Sequence, residues 1–351
     1  MINRRDVLLG AAATALPLRA QASKDKWMLA EWEPHDACVM AWCEAEDLFS
    51  RRELKAIHAE QVQIAKAIAG FEPVIMLVNG DPKDYSQLSG IANLSVVQMP
   101  HYDTWVRDTL PVFGEVATGW NFNTWGRKFP GYEADHTLAE RFAGYWETEF
   151  VHASIVSEGG AFETDGRGTV VTTETCLLNP NRNPGMTRRE VEDAIKQYAP
   201  CENVVWLWGS EVDEVTDGHV DGIMRFFGPD IVVVEVTDDK EDPEYEELQE
   251  NAVRMEAARN ARGDHYEVIR LNRPLWERMP ERGDDFAASY VNSYFPNGGI
   301  VMPRFGDRRR DDAARELFAE LEPDRRIVQL DIDQIAEGGG GIHCCTMQIP
   351  A

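Results

Sequence analysis

Basic residues are scarce in this chain. Of 351 residues, 35 are Lys or Arg and 61 are Asp or Glu, a formal net charge of −26. On average such a surface repels nucleic acid and anionic membranes, so neither is expected as a partner. A small cation would be drawn in, although acidity also serves solubility alone. Cysteine is sparse as well. Six thiols, at positions 38, 43, 176, 201, 344 and 345, are too few for a disulfide scaffold, and no CxxC pair marks a structural zinc site. Long apolar runs are absent beyond the N-terminus, so no stable membrane association is expected of the mature protein. Pro/Gly/Ser-rich linkers are absent too, and residues 23–351 read as a single domain.

The first 22 residues read as a targeting segment. Arg4 and Arg5 precede a small apolar run from Val7 to Leu16, and Ala20-Gln21-Ala22 gives the small-x-small pattern that a signal peptidase cuts. The run is about a dozen residues, too short to span a bilayer. Paired arginines at its border resemble a twin-arginine export signal, which places the mature chain in the periplasm or outside the cell. Cleavage would remove Arg4, Arg5, Arg19 and Asp6 and shift the formal charge to −28.

Five segments have the periodicity of amphipathic helices, beginning near Arg51, Asp135, Thr187, Pro243 and Arg309. Thr187 and Glu190 have capping-box spacing, and Gly70 and Gly263 stand where C-terminal glycines belong. A short β-rich run follows each helix: PVIMLV, FVHASIV, NVVWLW, YEVIRL and RIVQL. Further β-rich runs, ACVMAW, GTVVTT, IVVVEV and GGIVMP, lie between these pairs. Five α/β units of roughly 65 residues fill the mature chain and predict a closed array of repeats.

The polar residues collect after the post-helix strands. PHYDTWVRDTLP carries Asp103, Arg107 and Asp108; SEGG carries Glu158. GSEVDEVTDGHVDG carries Asp217, His219 and Asp221, and EGGGGIHCCTMQIP carries His343, Cys344 and Cys345. Arranged around an axis, four of the five units would deliver a carboxylate, an imidazole or a thiol to one pocket. Taken singly the pieces say less. Arg107-Asp108 alone reads as a surface ion pair. Gly-His-Val-Asp is at most half a metal site, with no third His or Cys at matching spacing, so no metal is expected. The tetraglycine run 338–341 is followed by no helix that could hold an anion, and is better read as letting backbone crowd against a ligand beneath Cys344. The acidic run Asp238–Glu250 and the basic Arg308–Arg310 read as solvated faces.

Together these residues suit one chemistry. A thiol nucleophile, one histidine and three carboxylates fit attack on a cationic, planar, electron-poor carbon. Two carboxylates can grip a guanidinium, whose charge would favour the thiolate, while the histidine serves as acid and then base. No cofactor is needed.

The blocks AEWEPHDACVMAW, DTWVRDTLP, WNFNTWGRKF, SEGGAFETDGRGTVVTTETCLLNPNRNP, EVDEVTDGHVDG, ASYVNSY and GGGGIHCCTMQIP, in order from about residue 28 to 350, resemble the agmatine deiminases. That family belongs to the guanidine-modifying enzymes that include bacterial peptidylarginine deiminases. The resemblance implies an α/β five-bladed propeller, the pentein fold, with the active site at its centre. It also implies hydrolysis of agmatine to N-carbamoylputrescine and ammonia without metal or organic cofactor. Matched position by position, it makes Cys344 the nucleophile, His219 the general acid/base and Glu158 its carboxylate partner. Asp108 and Asp221 would grip the guanidinium, and Trp105 would line the pocket beside the alkyl chain. Leu110, Met347, Cys43 and Cys345 depart from the family pattern. Leu110 and Met347 are expected to alter pocket shape, and Cys344-Cys345 has the spacing of a vicinal disulfide. The departures and the export signal keep arginine or peptidyl-arginine open as substrates. A guanidine-binding protein without activity and a metal hydrolase built on His219 and Asp221 are the remaining readings. Oligomeric state is not legible.

Overall fold

The structure, a computed structural model, describes residues 27–275, 283 and 286–351. The export segment read over residues 1–22 lies outside them. Five crossover helices each join two parallel strands. β1 (His35–Ala41) and β2 (Val74–Val78) flank α1 (Arg51–Ala69), and β3 (Leu94–Gln98) extends that sheet. β4 (Ala117–Gly119) and β5 (Phe150–His152) flank α2 (Leu138–Trp146). β6 (Glu163–Thr164) precedes β7 (Thr169–Thr173), which pairs through α3 (Arg188–Tyr198) with β8 (Asn203–Leu207). β9 (Met224–Phe226) precedes β10 (Ile231–Val236), which pairs through α4 (Tyr245–Ala257) with β11 (Glu267–Asn272). β12 (Gly299–Arg304) and β13 (Arg326–Asp331) flank α5 (Arg308–Leu321). A parallel pair cannot be closed by a tight hairpin, which is why every unit spends a helix on the crossover.

Each unit gains an antiparallel partner on the far side of its first long strand. β14 (Met347–Pro350) lies beside β1, β6 beside β7 and β9 beside β10, while Val112 bridges Thr118 and Tyr294 bridges Val301. In every case the chain supplies this partner as it leaves the preceding unit. The last of them, β14, returns to β1 and closes the ring. The expected five-bladed α/β propeller is therefore present.

The local sequence explains the elements. Strands covered on both faces read as largely apolar runs, as VIMLV does without a break and IVVVEV does but for Glu235. α1 starts in a capping box between Ser50 and Glu53 and buries Leu54, Ile57, Ile64, Ala65 and Ile68 on one stripe. Gln61 shares that stripe without cost, because its amide donates to Ala41 O at 2.7 Å and to Thr104 Oγ1 at 2.8 Å. The Thr187–Glu190 box opens α3 as expected.

Three expectations need correction. α4 ends at Ala257, and Gly263, with φ of 89°, serves the turn inside the Arg259–His265 bridge instead of a helix end. The basic cluster at the start of α5 is not wholly solvated. Arg310 is buried and pairs with Asp238, and the neighbouring Asp311 is buried too, accepting from Phe305 N and Gly306 N at 3.0 Å and from Tyr290 Oη at 2.8 Å. The acidic run is wired into the fold as well: Asp242 and Glu244 both pair with Arg273. Among the described residues no helix is long and apolar enough to cross a membrane.

Candidate active site

The turns that lead into the five antiparallel segments carry the polar residues. Asp108 lies in a single turn, Val106–Thr109, just before Val112; Glu158 precedes β6; His219 and Asp221 precede β9; Cys344 precedes β14. The remaining blade contributes too. Asn292 stands two residues before Tyr294, so all five units deliver a side chain to the axis, one more than the sequence suggested.

His219 and Glu158 form the buried acid–base pair. Nε2 of His219 lies 3.2 Å from Glu158 Oε2, while Arg182 Nε donates to Glu158 Oε1 at 2.7 Å. Burial raises the Glu158 pKa, but the Arg182 guanidinium and His219 outweigh it and leave the carboxyl below its usual range. Burial likewise opposes a charged imidazole, and the Asp108 and Glu158 carboxylates overcome it, holding His219 well above its ordinary value. With Nε2 occupied, Nδ1 is buried without a hydrogen-bond partner and lies 3.8 Å from Asp108 Oδ1. Asp108 itself accepts from Trp125 Nε1 at 2.9 Å and from Gly160 N at 3.0 Å.

Gly160 locates the centre of the site. A Cβ there would stand 2.6 Å from His219 Nδ1, 2.9 Å from Asp108 Oδ1 and 3.1 Å from Asp221 Oδ2. Those three atoms, two carboxylate acceptors and an imidazole nitrogen, therefore converge on the face of Gly160. The Cys344 thiol lies beside Asp221, its Sγ 3.7 Å from Asp221 Oδ2 and 3.1 Å from Asn292 Nδ2. Burial, with Asp221 and Asp108 close by, pushes that thiol well above its ordinary pKa. Asn292 also fixes the turn, because its Oδ1 accepts from His343 N at 3.0 Å and Cys344 N at 3.2 Å. A cavity of about 140 Å³ reaches His219, Asp221, Asn292 and Cys344 and runs out past Asp213, Glu235, Glu244, Glu247 and Arg273.

The tetraglycine run is a bed for side chains. A Cβ on Gly340 would lie 2.4 Å from Trp105 Cζ3, and one on Gly341 would lie 2.4 Å from Asn292 Oδ1. The crowding foreseen there is thus against Trp105 and Asn292 within the fold. Trp105 is buried on this bed and is not among the residues lining the cavity.

Residues 27–350 match the model of the Porphyromonas-type peptidyl-arginine deiminase family. The chain belongs to that family. It is 33% identical to the agmatine deiminase of Medicago truncatula over 362 residues, covering 92% of this chain and 96% of that one. It is 38% identical over 331 residues to a Legionella pneumophila protein provisionally named an agmatine deiminase, covering 92% of this chain and 94% of the relative. The solved agmatine deiminase of Enterococcus faecalis superposes with a TM-score of 0.85 at 30% identity, over 95% of this chain and 99% of that one.

Within this family frame the unusual positions resolve. Leu110 and Met347 pack into the apolar cluster between the first two blades, away from the cavity, so neither shapes the pocket as expected. Cys43 is buried with Sγ 3.7 Å from Asp103 Oδ1. Cys345 is a free, buried thiol directed at Ile342 O, whereas Cys344 faces Asn292 and Asp221, so the two do not form the vicinal disulfide considered above. Arg107-Asp108 is not a surface ion pair: both are buried, and Arg107 reaches Glu31 at 3.1 Å. The residue that could join His219 in a metal set is Cys176, whose Sγ lies 3.9 Å from Glu158 Oε2. The buried Arg182 guanidinium pairs with the other oxygen of Glu158 at 2.7 Å and already offsets its charge. His219 and Asp221, the pair weighed as metal ligands, face the cavity instead. Asn292, Arg182, Cys176 and Glu31 were all overlooked as site residues. ASYVNSY and AEWEPH were visible as blocks, but no charge or motif singled out their polar members.

Proposed function

We propose that this chain hydrolyses the guanidinium group of agmatine, giving N-carbamoylputrescine and ammonia through a covalent intermediate on Cys344. The observation that carries the reading is the convergence of Asp108, Asp221 and His219 Nδ1 on Gly160, with the Cys344 thiol 3.7 Å from that Asp221 oxygen. Asp108 and Asp221 orient the planar cation with its central carbon about 3–3.5 Å from sulfur. The positive charge of the bound substrate favours the thiolate that burial, Asp221 and Asp108 disfavour, and the thiol proton leaves to solvent. Sulfur attacks the carbon; the C–N bond breaks as His219, held charged by Glu158, gives its proton to the departing ammonia. An amidino thioether remains. The now neutral His219 takes a proton from water as the hydroxide attacks the same carbon, and the C–S bond breaks as the new hydroxyl gives its proton to the departing sulfur, releasing the ureido product and restoring the thiol. Asn292 steadies the sulfur by donating to it.

The outer cavity supports a cationic tail over a carboxylate. Asp213, Glu244 and Glu247 line it, and among the described lining residues the only permanent cation is Arg273, already held by Asp242 and Glu244. Agmatine places an ammonium there; arginine would place a carboxylate beside the amine. Trp105 acts through the glycine bed under Cys344. The Arg4-Arg5 pair and Ala20-Gln21-Ala22 support export of one mature domain to the periplasm, which cell fractionation tests. Measuring ammonia and ureido product from agmatine, arginine and an arginyl peptide tests the function. Agmatine should be preferred by at least about 100-fold in kcat/KM. Preference for either arginine compound would replace the substrate, loss on chelation would revive a metal, and silence toward all three would leave a binding protein.

A further inference from the structure

Glu31 occupies the axis of the propeller beneath the site. Its carboxylate accepts from Arg107 Nη2 at 3.1 Å, from His343 Nε2 at 2.8 Å and from Phe295 N at 2.8 Å, and it pairs closely with Arg225. Arg225 in turn reaches Glu163 Oε1 at 3.1 Å. Residues from all five blades are thus tied to one buried carboxylate. The other ring nitrogen of His343, Nδ1, lies 2.7 Å from Asp221 Oδ2, the oxygen that faces both the Cys344 sulfur and Gly160.

Carboxylate oxygens only accept, so an imidazole caught between two of them donates from both nitrogens. Arg225, His343 and Arg107 overcome burial to keep Glu31 ionised, and His343 does the same for Asp221. We infer that His343 is a doubly protonated positioning residue, anchored by Glu31, that fixes the Asp221 carboxylate and offsets its charge so that the adjacent Cys344 can ionise. The substrate cation then balances the new thiolate. Without the His343 charge the sulfur would ionise beside an uncompensated Asp221. His343 touches neither substrate nor sulfur; it acts through Asp221.

This inference rests on the reading of Cys344 as nucleophile, and two variants with a measurement on the intact protein separate the two. In His343→Asn the amide ends where Nδ1 stands, keeping a donor to Asp221 but no charge and no link to Glu31. In His343→Gln the amide reaches toward Glu31 and loses Asp221. Alkylation of Cys344 by iodoacetamide across pH should shift to higher pH in both variants. For agmatine, kcat should fall by about tenfold or more in both, with KM raised mainly in His343→Gln, where Asp221 is unguided. Nitrogen-15 spectra of histidine-labelled wild-type protein, assigned by the missing signal in either variant, should show both His343 nitrogens carrying protons at pH 7. The spectra serve even if the variants fold poorly, because selective labelling of the intact protein can assign the ring. A bare ring nitrogen at pH 7, or alkylation profiles that overlay wild type, would overturn the inference. If instead the spectra and the alkylation shift agree while no guanidine is hydrolysed, the positioning pair stands and the proposed reaction fails.

Discussion

Asn292 Nδ2 lies 3.1 Å from the sulfur of Cys344, and the oxygen of the same amide binds the backbone N–H of Cys344 and of His343. One side chain therefore sets both the turn that presents the thiol and the polar contact on its sulfur. Replacing Asn292 by Leu removes both and leaves two buried N–H groups without their acceptor, which costs about 1–3 kcal/mol each. Asn292→Asp keeps the acceptor but places a third carboxylate against the sulfur. Both variants should lose at least about tenfold in kcat for agmatine, with Asn292→Asp also displacing Cys344 alkylation to higher pH. Unchanged alkylation in Asn292→Asp would remove the amide from the chemistry.

The thiol itself makes a second prediction. In the free protein, burial and the Asp221 and Asp108 carboxylates hold Cys344 in its neutral form well above the ordinary thiol value of 9.0. A group with a raised pKa ionises only as pH climbs past it, so alkylation should be slow at pH 7 and still rising beyond pH 9. Asp221→Asn takes away one repelling charge and should bring the profile to lower pH, even as it cripples turnover. A profile that levels off near neutrality would mean the enzyme keeps a preformed thiolate. Cys344→Ala should be inert in either case; residual turnover above about a tenth of wild type would end the covalent mechanism.

Much of this could be read before any coordinates, and the reasons differ by residue. The five units were legible because helix and strand periods alternate along the chain. β4 was not: three residues, Ala117–Gly119, carry no run of apolar side chains, and their pairing with β5 decides them. Cys344, His219, Glu158, Asp108 and Asp221 stood out because charged or nucleophilic residues beside glycine are conspicuous. Asn292 and Glu31 were not conspicuous. An amide and one acid among 61 give no local signal, and their importance arises only where five separate segments meet on an axis. Leu110 and Met347 show the opposite error. Nearness in sequence to Asp108 and Cys344 suggested a pocket wall, yet the chain turns sharply at both places, and Leu110 and Met347 end in the apolar cluster between the first two blades.

Gly160 offers a test of where the substrate sits. Its φ lies outside the left-handed region, so alanine is conformationally acceptable there. The added methyl would instead press within 2.6 Å of His219 Nδ1 and 2.9 Å of Asp108 Oδ1, two groups proposed to meet the guanidinium. Gly160→Ala should lower kcat/KM by about 100-fold or more while the far-ultraviolet circular dichroism stays that of wild type. A variant retaining a third of the activity would show that the cation binds elsewhere.

Glu158 joins catalysis to stability. Its carboxylate pairs with Arg182 on one oxygen and His219 on the other, and all three are buried. Glu158→Gln leaves Arg182 with Asp217 as its remaining anionic partner, and removing one member of a buried pair costs about 3–5 kcal/mol. The sign of the pH dependence follows from the lowered pKa. Glu158 binds its proton less readily folded than unfolded, so its contribution is present above the ordinary value of 4.5 and is lost as pH falls through the lower folded value. Urea unfolding should therefore show a large gap between wild type and Glu158→Gln at pH 7 that narrows on acidification below 4.5. The same substitution removes one of the charges that keep His219 protonated. Its pKa should fall, and the alkaline limb of kcat for agmatine should move to lower pH in the residual activity. A pH-independent stability gap would assign the loss to packing alone, and an unmoved alkaline limb would separate Glu158 from the proton that His219 gives to ammonia.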